Sequence, residues 1–300
     1  MKKIISVFLT VIMVLSVSPI TALAQAVTDS VDLGVDKSAS GFNDVCVWSY
    51  DADTKTMTID GENIVSQNDD DSELLPTYSV DENGNKNYVY RGFETLVLGE
   101  HVQKFYAAAN ADNYPNLQYF STAPSYKPNA TYGNNTFLNC TSLKEVYDYG
   151  VKKLGTNTFD GCTSLQVFAT ESLTSIGSNT FKGCTALDMV GLGDMLRIPD
   201  NTFAECPNLT YVEYNKTYLD YIGINAFKGC SKLVNIDLSL VEDIESGAFS
   251  GCSSLDFSSL PGTHIIGANA FEGCTSLTSI ELGEYLDEVG ENAFKDCVNL

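Results

Sequence analysis

The groups in this chain able to do chemistry are nine cysteines, two histidines and an excess of carboxylates, 39 Asp and Glu against 17 Lys and Arg. Eight cysteines form a regular series, Cys140, Cys162, Cys184, Cys206, Cys230, Cys252, Cys274 and Cys297, and Cys46 stands apart. Thiolate zinc sites use C-x2-C pairs or neighbouring histidines, and neither pattern occurs here. A Ser-His-Asp relay needs a histidine placed between a hydroxyl and a carboxylate, yet no motif surrounds His101 or His264. Calcium asks for clustered carboxylates, and Asp69-Asp70-Asp71-Ser72-Glu73 is the densest run. It reads as a solvated acidic loop. In Asp81-Glu82-Asn83-Gly84-Asn85 the glycine falls at the fourth place, where an EF-hand loop needs it at the sixth. That stretch reads instead as a hairpin turn between Tyr78-Ser79-Val80 and Tyr88-Val89-Tyr90. No glycine-rich phosphate loop is present. The expectation is a protein with no metal and no cofactor, and not an enzyme.

What positions these groups is a repeat. Phe-x-x-Cys-x-x-Leu occurs eight times, from Phe137/Cys140/Leu143 to Phe294/Cys297/Leu300, with cysteines 22 to 24 residues apart. Self-similarity at a period in the twenties marks a leucine-rich solenoid, in which each coil buries its apolar residues only against its neighbours. In the coil from Asn179, Phe181 and Cys184 point inward from a short turn or single helical turn. Leu187, Val190 and Leu192 point inward from a strand, and the chain returns through a short extended piece ending at Ile198. The position two before Phe is Asn in every copy but one, where it is Gly247, so a left-handed or tight-turn backbone is expected there.

The cysteines occupy one equivalent position per coil. Stacked coils hold equivalent side chains parallel and about 4.8 Å apart, whereas a disulfide needs Cβ atoms about 3.8 Å apart and facing each other. Buried free thiols acting as small hydrophobes are therefore expected, although an extracellular setting favours oxidation.

Five regions follow from the composition. Residues 1–24 form a signal peptide, with Lys2 and Lys3 before an apolar run and Ala22-Leu23-Ala24 as cleavage site. Residues 25–41 are a flexible leader. Residues 42–92 are a β-rich N-terminal cap whose first hairpin joins Val45–Tyr50 to Thr56–Gly61, with Trp48 in the cap's core. Residues 93–132 hold degenerate coils (Glu94–Gly99, Pro115–Phe120) and a protruding loop at 121–132. Regular repeats fill 133–300 and stop in mid-repeat at Leu300, which reads as a fragment of a longer protein. The fold class is a leucine-rich-repeat solenoid, mainly β with short helical or 3-10 turns. Net charge of -22 and a pI near 4.2 argue against nucleic acid and anionic membranes as partners, and no segment after the signal is apolar enough to insert in a bilayer.

The strings Asn-Thr-Phe-Lys-Gly-Cys-Thr-Ala-Leu at 179–187 and Asn-Ala-Phe-Glu-Gly-Cys-Thr-Ser-Leu-Thr-Ser-Ile-Glu-Leu at 269–282 closely resemble BspA-like leucine-rich repeats of secreted bacterial surface proteins. Val-Trp-Ser-Tyr-Asp-Ala-Asp-Thr-Lys-Thr-Met-Thr-Ile-Asp-Gly resembles the cap that often precedes them. The resemblance implies an extracellular or cell-surface location and an adhesion or binding role toward a protein or glycan on a host or neighbouring cell. A spacer carrying another domain beyond residue 300 is the alternative.

A ligand would meet outward residues of the strands. Alternation places Glu145, Val167, Met189, Tyr211, Asn235, Phe257 and Ser279 in one outward ladder, and Tyr147, Ala169, Gly191, Glu213, Asp237, Ser259 and Glu281 in the next. The candidate binding residues are Val167, Met189, Tyr211, Glu213, Asp237 and Phe257, with the possibility that Phe257 turns inward where Ser258 replaces an aliphatic.

Overall fold

The computed structural model describes residues 47–51, 54–60, 63–64, 78–80, 86–88, 93–99, 104–105, 114–122, 130–148, 150–170, 172–214, 219–234 and 236–300. The signal peptide, the leader, Cys46, His101 and both acidic runs weighed for calcium lie outside these residues, as does the Trp48 side chain.

The elements are short because each coil turns its direction every few residues. Eight strands form one sheet in the order Val47–Asp51, Thr56–Asp60, Thr95–Leu98, Tyr119–Thr122, Glu145–Tyr147, Val167–Ala169, Met189–Gly191 and Tyr211–Glu213. The first pair is antiparallel, the hairpin expected at the cap. From the second strand on every pairing is parallel, as Met57 against Leu96 and Ile59 against Leu98 illustrate. The hairpin thus lays its second strand on the first coil's sheet edge and removes it as a template for foreign strands. The two degenerate coils join the same ladder, Leu96 opposite Phe120. Return strands make two further parallel sheets, one from Asn63–Ile64 to Ser175–Ile176 and one from Arg197–Ile198 to Glu288–Val289. A separate antiparallel pair joins Tyr78–Val80 to Lys86–Tyr88, Tyr78 opposite Tyr88; the Asn83-Gly84 turn expected between them lies outside the described residues.

Inside the coils runs a column of phenylalanines. The rings of Phe137, Phe159, Phe181, Phe203, Phe227, Phe249, Phe271 and Phe294 stack in series at 5.1–5.4 Å between centroids. Most neighbours are within 7° of parallel; Phe203 and Phe227 tilt by 17° across the coil that is two residues longer. Leu187, Val190, Leu192 and Ile198 are fully buried as expected, with their counterparts in the neighbouring coils.

Among the described residues no helix forms, and of the short turn or single helical turn expected ahead of each cysteine the structure has the short turn, punctuated by left-handed residues. Asn179 has φ 58° and Gly183 has φ 69°, so the two residues flanking Phe181 both interrupt right-handed winding. The N–H groups then alternate in direction. Those of Lys182 and Cys184 donate within the turn, to the carbonyls of Asn179 and Phe181, while those of Asn179, Phe181 and Gly183 donate to Asp200, Thr202 and Ala204 of the next coil at 3.0, 2.9 and 2.8 Å. A helix would spend all its N–H groups internally; this turn uses half of them to hold the next coil. The second left-handed position is occupied by Asn139, Gly161, Gly183, Glu205, Gly229, Gly251, Gly273 and Asp296, and only the first was expected from the sequence.

Close approach fixes other glycines. A Cβ on Gly177 would lie 2.5 Å from the backbone nitrogen of Thr156 in the preceding coil, so nothing larger fits without separating two coils. A Cβ on Gly183 would meet nothing nearer than 3.9 Å. Gly177→Ala should therefore destabilise more than Gly183→Ala, whose cost is the left-handed strain of about 1–2 kcal/mol. Phe181→Ala, which empties a slot in the column, should cost about 3–5 kcal/mol. Denaturant midpoints at constant slope measure all three; a Gly177→Ala loss no larger than that of Gly183→Ala would contradict the packing described.

Candidate functional site

The strand face is where side chains leave the core in an even array. Glu145 pairs with Val167, Val167 with Met189, and Met189 with Tyr211, all in register. Beside them Tyr147 pairs with Ala169 and Gly191 with Glu213. The outward assignment holds for Val167 and Met189, which are half-buried, and for Tyr211, which is 40% exposed. It fails for Tyr147, which is buried. Both faces of the first strands are in fact buried: Thr56, Thr58, Thr95, Val97 and Ser121 alternate with the inward residues yet are all shielded. In the neighbouring row Tyr119 and Glu145 are half-buried, as Val167 and Met189 are.

Beyond Tyr211–Glu213 the eight-stranded sheet stops. In the next coil Ile236 to Leu238 keep their inward burial without strand pairing, and Ser259–Leu260 then pairs only with Glu281–Leu282. Ser258 stands where Val190 and Val212 fill the core. Phe257 turns to fill that space, its ring 5.2 Å from Phe271. Phe257 is thereby withdrawn from the outward ladder, and the apolar array narrows to Val167, Met189 and Tyr211. Val234, four residues after Cys230 and 54% exposed, joins it from the row before; the alternation pattern used above passed over that row.

Carboxylates flank the array. The Tyr211 hydroxyl donates to Oε2 of Glu213, which fixes both side chains across the face. Burial and the Glu213 carboxylate push the Tyr211 phenol up to about 12, because ionisation would place two negative oxygens together. The Tyr214 hydroxyl donates to the backbone carbonyl of Asp237, while Oδ1 of Asp237 accepts from the Ser239 N–H at 3.1 Å. Asp188, exposed, accepts from the Thr210 hydroxyl at 2.7 Å.

Two further groups carry unusual chemistry without belonging to this face. Asp148 is buried at the inward end of its strand. Its Oδ1 accepts from the N–H groups of Gly150 and Val151 at 2.8 and 2.7 Å, and its Oδ2 accepts from the Tyr132 hydroxyl. Burial raises its pKa, partly offset by these donors. A sequence reading could have found it only by noticing an aspartate where other coils place Leu192 or Tyr214. The second group is the cysteine series. All eight described cysteines are buried and outside any disulfide. Seven donate Sγ–H to the phenylalanine carbonyl of the preceding coil, Cys184 to Phe159 at 3.2 Å and Cys206 to Phe181 at 3.1 Å among them. Burial pushes the Cys206 and Cys274 thiols up to about 12, so thiolate is scarce and reactivity low. Among the described residues no group of three or more Cys, His, Asp or Glu is placed to hold a metal. His264 lies 3.7 Å from Asp287 and stacks on Tyr285.

The solved structures with similar folds include a leucine-rich repeat protein of T. pallidum, 21% identical, covering 63% of this chain and 87% of that one with a TM-score of 0.42. Another is a leucine-rich cell surface protein of Faecalibacterium prausnitzii, 22% identical, covering 86% and 80%, with a TM-score of 0.40. A third is a leucine-rich repeat protein of Bacteroides ovatus, 18% identical, covering 86% and 92%, with a TM-score of 0.35. Among curated proteins no relative matches.

Thiol labelling at pH 8 should be slow for the eight repeat cysteines in the native protein and reach every cysteine after denaturation without reductant; rapid native labelling of more than one group would contradict the burial. Tyr132→Phe removes a donor from a buried carboxylate and should cost about 1–3 kcal/mol. Because the folded pKa of Asp148 is raised, its stabilising share is present in acid and lost as pH rises through that value. The Tyr132→Phe penalty should therefore be larger at neutral pH than at acid pH in parallel melts; the reverse ordering would contradict a buried, strained carboxylate. Asp148→Asn, which keeps the Oδ1 acceptor, should be milder at pH 7.

Six copies of the BspA-type leucine-rich repeat model match across residues 113–217 and 196–300, and with the phenylalanine column, the parallel coils and the repeated turn they place this chain in the BspA-type leucine-rich repeat family.

Proposed function

We propose that this protein works as a binding module at the cell surface or outside the cell, engaging a protein or glycan of a host or neighbouring cell through its strand face. The observation that carries the reading is the in-register row Val167, Met189 and Tyr211, apolar or aromatic in three successive coils and at least partly open to solvent. Apolar and aromatic groups in such an array exceed what a solvated sheet needs, and patches of this kind mark interaction sites. The row is also rigid, since every strand is fixed by the column behind it. Two further points support an exterior location: the basic and apolar residues at the N-terminus with a small-x-small cleavage site, and the cell-surface description of the F. prausnitzii protein of similar fold.

The test is a screen of purified matrix proteins and a glycan array with wild type, followed by Tyr211→Ala combined with Met189→Ala in protein whose melting is unchanged. Affinity for whatever binds should fall at least about tenfold, as loss of an aromatic anchor does. Binding that survives the double change places the site elsewhere. Absence of any ligand favours a spacer that carries another domain.

A further inference from the structure

Three rows make up the strand face, defined by their offset from the repeat cysteine. The first runs Lys144, Gln166, Asp188, Thr210, Val234 and Asp256. The second is the Glu145, Val167, Met189 and Tyr211 row, and the third contains Ala169, Gly191, Glu213, Asp237, Ser259 and Glu281. Six carboxylates lie in these rows: Asp188 and Asp256 on one flank, Glu213, Asp237 and Glu281 on the other, and Glu145 at the head. The one ammonium among them, on Lys144, donates to Oε1 of Gln118 at 2.7 Å and sits 5.8 Å from the Tyr119 ring. The apolar strip is thus framed by negative charge on both flanks, and the frame's only cation is engaged at its edge. Glu145 adds an independent sign: its Oε2 is buried and has no hydrogen-bond partner. A buried carboxylate oxygen without a donor costs free energy unless something supplies one.

Resting on the strand-face reading above, we infer that the occupant of this face is a basic polypeptide segment, one that sets apolar side chains on Val167, Met189, Tyr211 and Val234 and its Lys or Arg groups on the flanking carboxylates. The Tyr211 ring beside Glu213 is suited to such a group. Its face attracts a cation, and the hydroxyl already bonded to Glu213 holds the carboxylate in place. An acidic or neutral segment would desolvate the carboxylates of both flanks without bringing them a countercharge, which disfavours it.

The experiment uses synthetic probes with full-length protein: a peptide mixing Arg and Leu, the same peptide with Glu for Arg, one with Gln for Arg, and an oligo-arginine of equal charge. Two charge-removing variants are compared, Glu213→Gln with Asp237→Asn on this face and Glu242→Gln with Asp243→Asn on the return side. The Arg/Leu peptide should bind best. It should lose about tenfold with Glu213→Gln/Asp237→Asn and with Tyr211→Ala, less than about twofold with the return-side pair, and weaken as salt rises. Oligo-arginine should respond alike to both neutralised pairs, as diffuse attraction does. Equal losses for the Arg/Leu peptide from both pairs would overturn the inference, as would the Glu or Gln peptide binding equally well. If the Gln peptide binds, loses affinity with Tyr211→Ala and ignores the neutralised pairs, the strand face stands and the basic occupant does not. If no probe responds to Tyr211→Ala, the strand-face reading fails as well.

Discussion

A coil of this solenoid closes nothing by itself; its phenylalanine is buried only because another lies about 5 Å above and below it. That translational constraint governs the rest. It demands that the turn carrying Phe181 repeat with the same backbone in each coil, which two left-handed residues achieve. It demands that the turn's N–H groups leave the coil, and they reach the carbonyls of the next one. It also brings equivalent side chains into columns, so that Asn179 donates to Asn157 and Asn157 to Asn135 through their side-chain amides, at 3.0 and 2.9 Å. A group compatible with one coil must be compatible with a copy of itself in the next.

The cysteines illustrate the rule. A side chain at that position faces its own copies and the carbonyl of the preceding phenylalanine. A thiol is small enough to stack, apolar enough to be buried, and able to donate a weak hydrogen bond to that carbonyl. A charged group would repel its copies. The same reasoning explains why acids, so numerous in this chain, stay on the surface. Among the described residues Asp148 is the acid buried as a whole side chain, and it is met by two backbone N–H groups and a tyrosine hydroxyl at the junction between degenerate and regular coils.

The column behind the strand face also decides what the face can offer. Where the inward row is intact, at Phe168, Val190 and Val212, the outward row keeps its register and its apolar side chains stay available. Where the inward row lapses at Ser258, Phe257 is drawn in and a candidate contact is lost. The outward array and core packing are therefore coupled along this protein: where a polar residue replaces an inward aliphatic, an aromatic leaves the outward row to cover the gap.

The sequence by itself determined the solenoid, its period, the inward ladders and the left-handed asparagine, because translational repetition writes each of them many times over. It also placed the hairpin at Thr56–Asp60 and the outward row through Met189 and Tyr211, since strand alternation is a local property. Tertiary structure alone decided which outward residues stay open. Tyr147 alternates correctly and is buried all the same, while Ser121 and Tyr132, read as the ends of a protruding loop, lie buried in strands, because shielding depends on what lies across the face. It decided that the turn is not helical, since that choice rests on hydrogen bonds to a coil some 22 residues away. It decided the fate of Phe257, a vacancy being a property of volume rather than of pattern. And it joined Asp148 to Tyr132, two residues that no spacing rule connects and that meet only where the first regular coil stacks on the return strand of the coil before it.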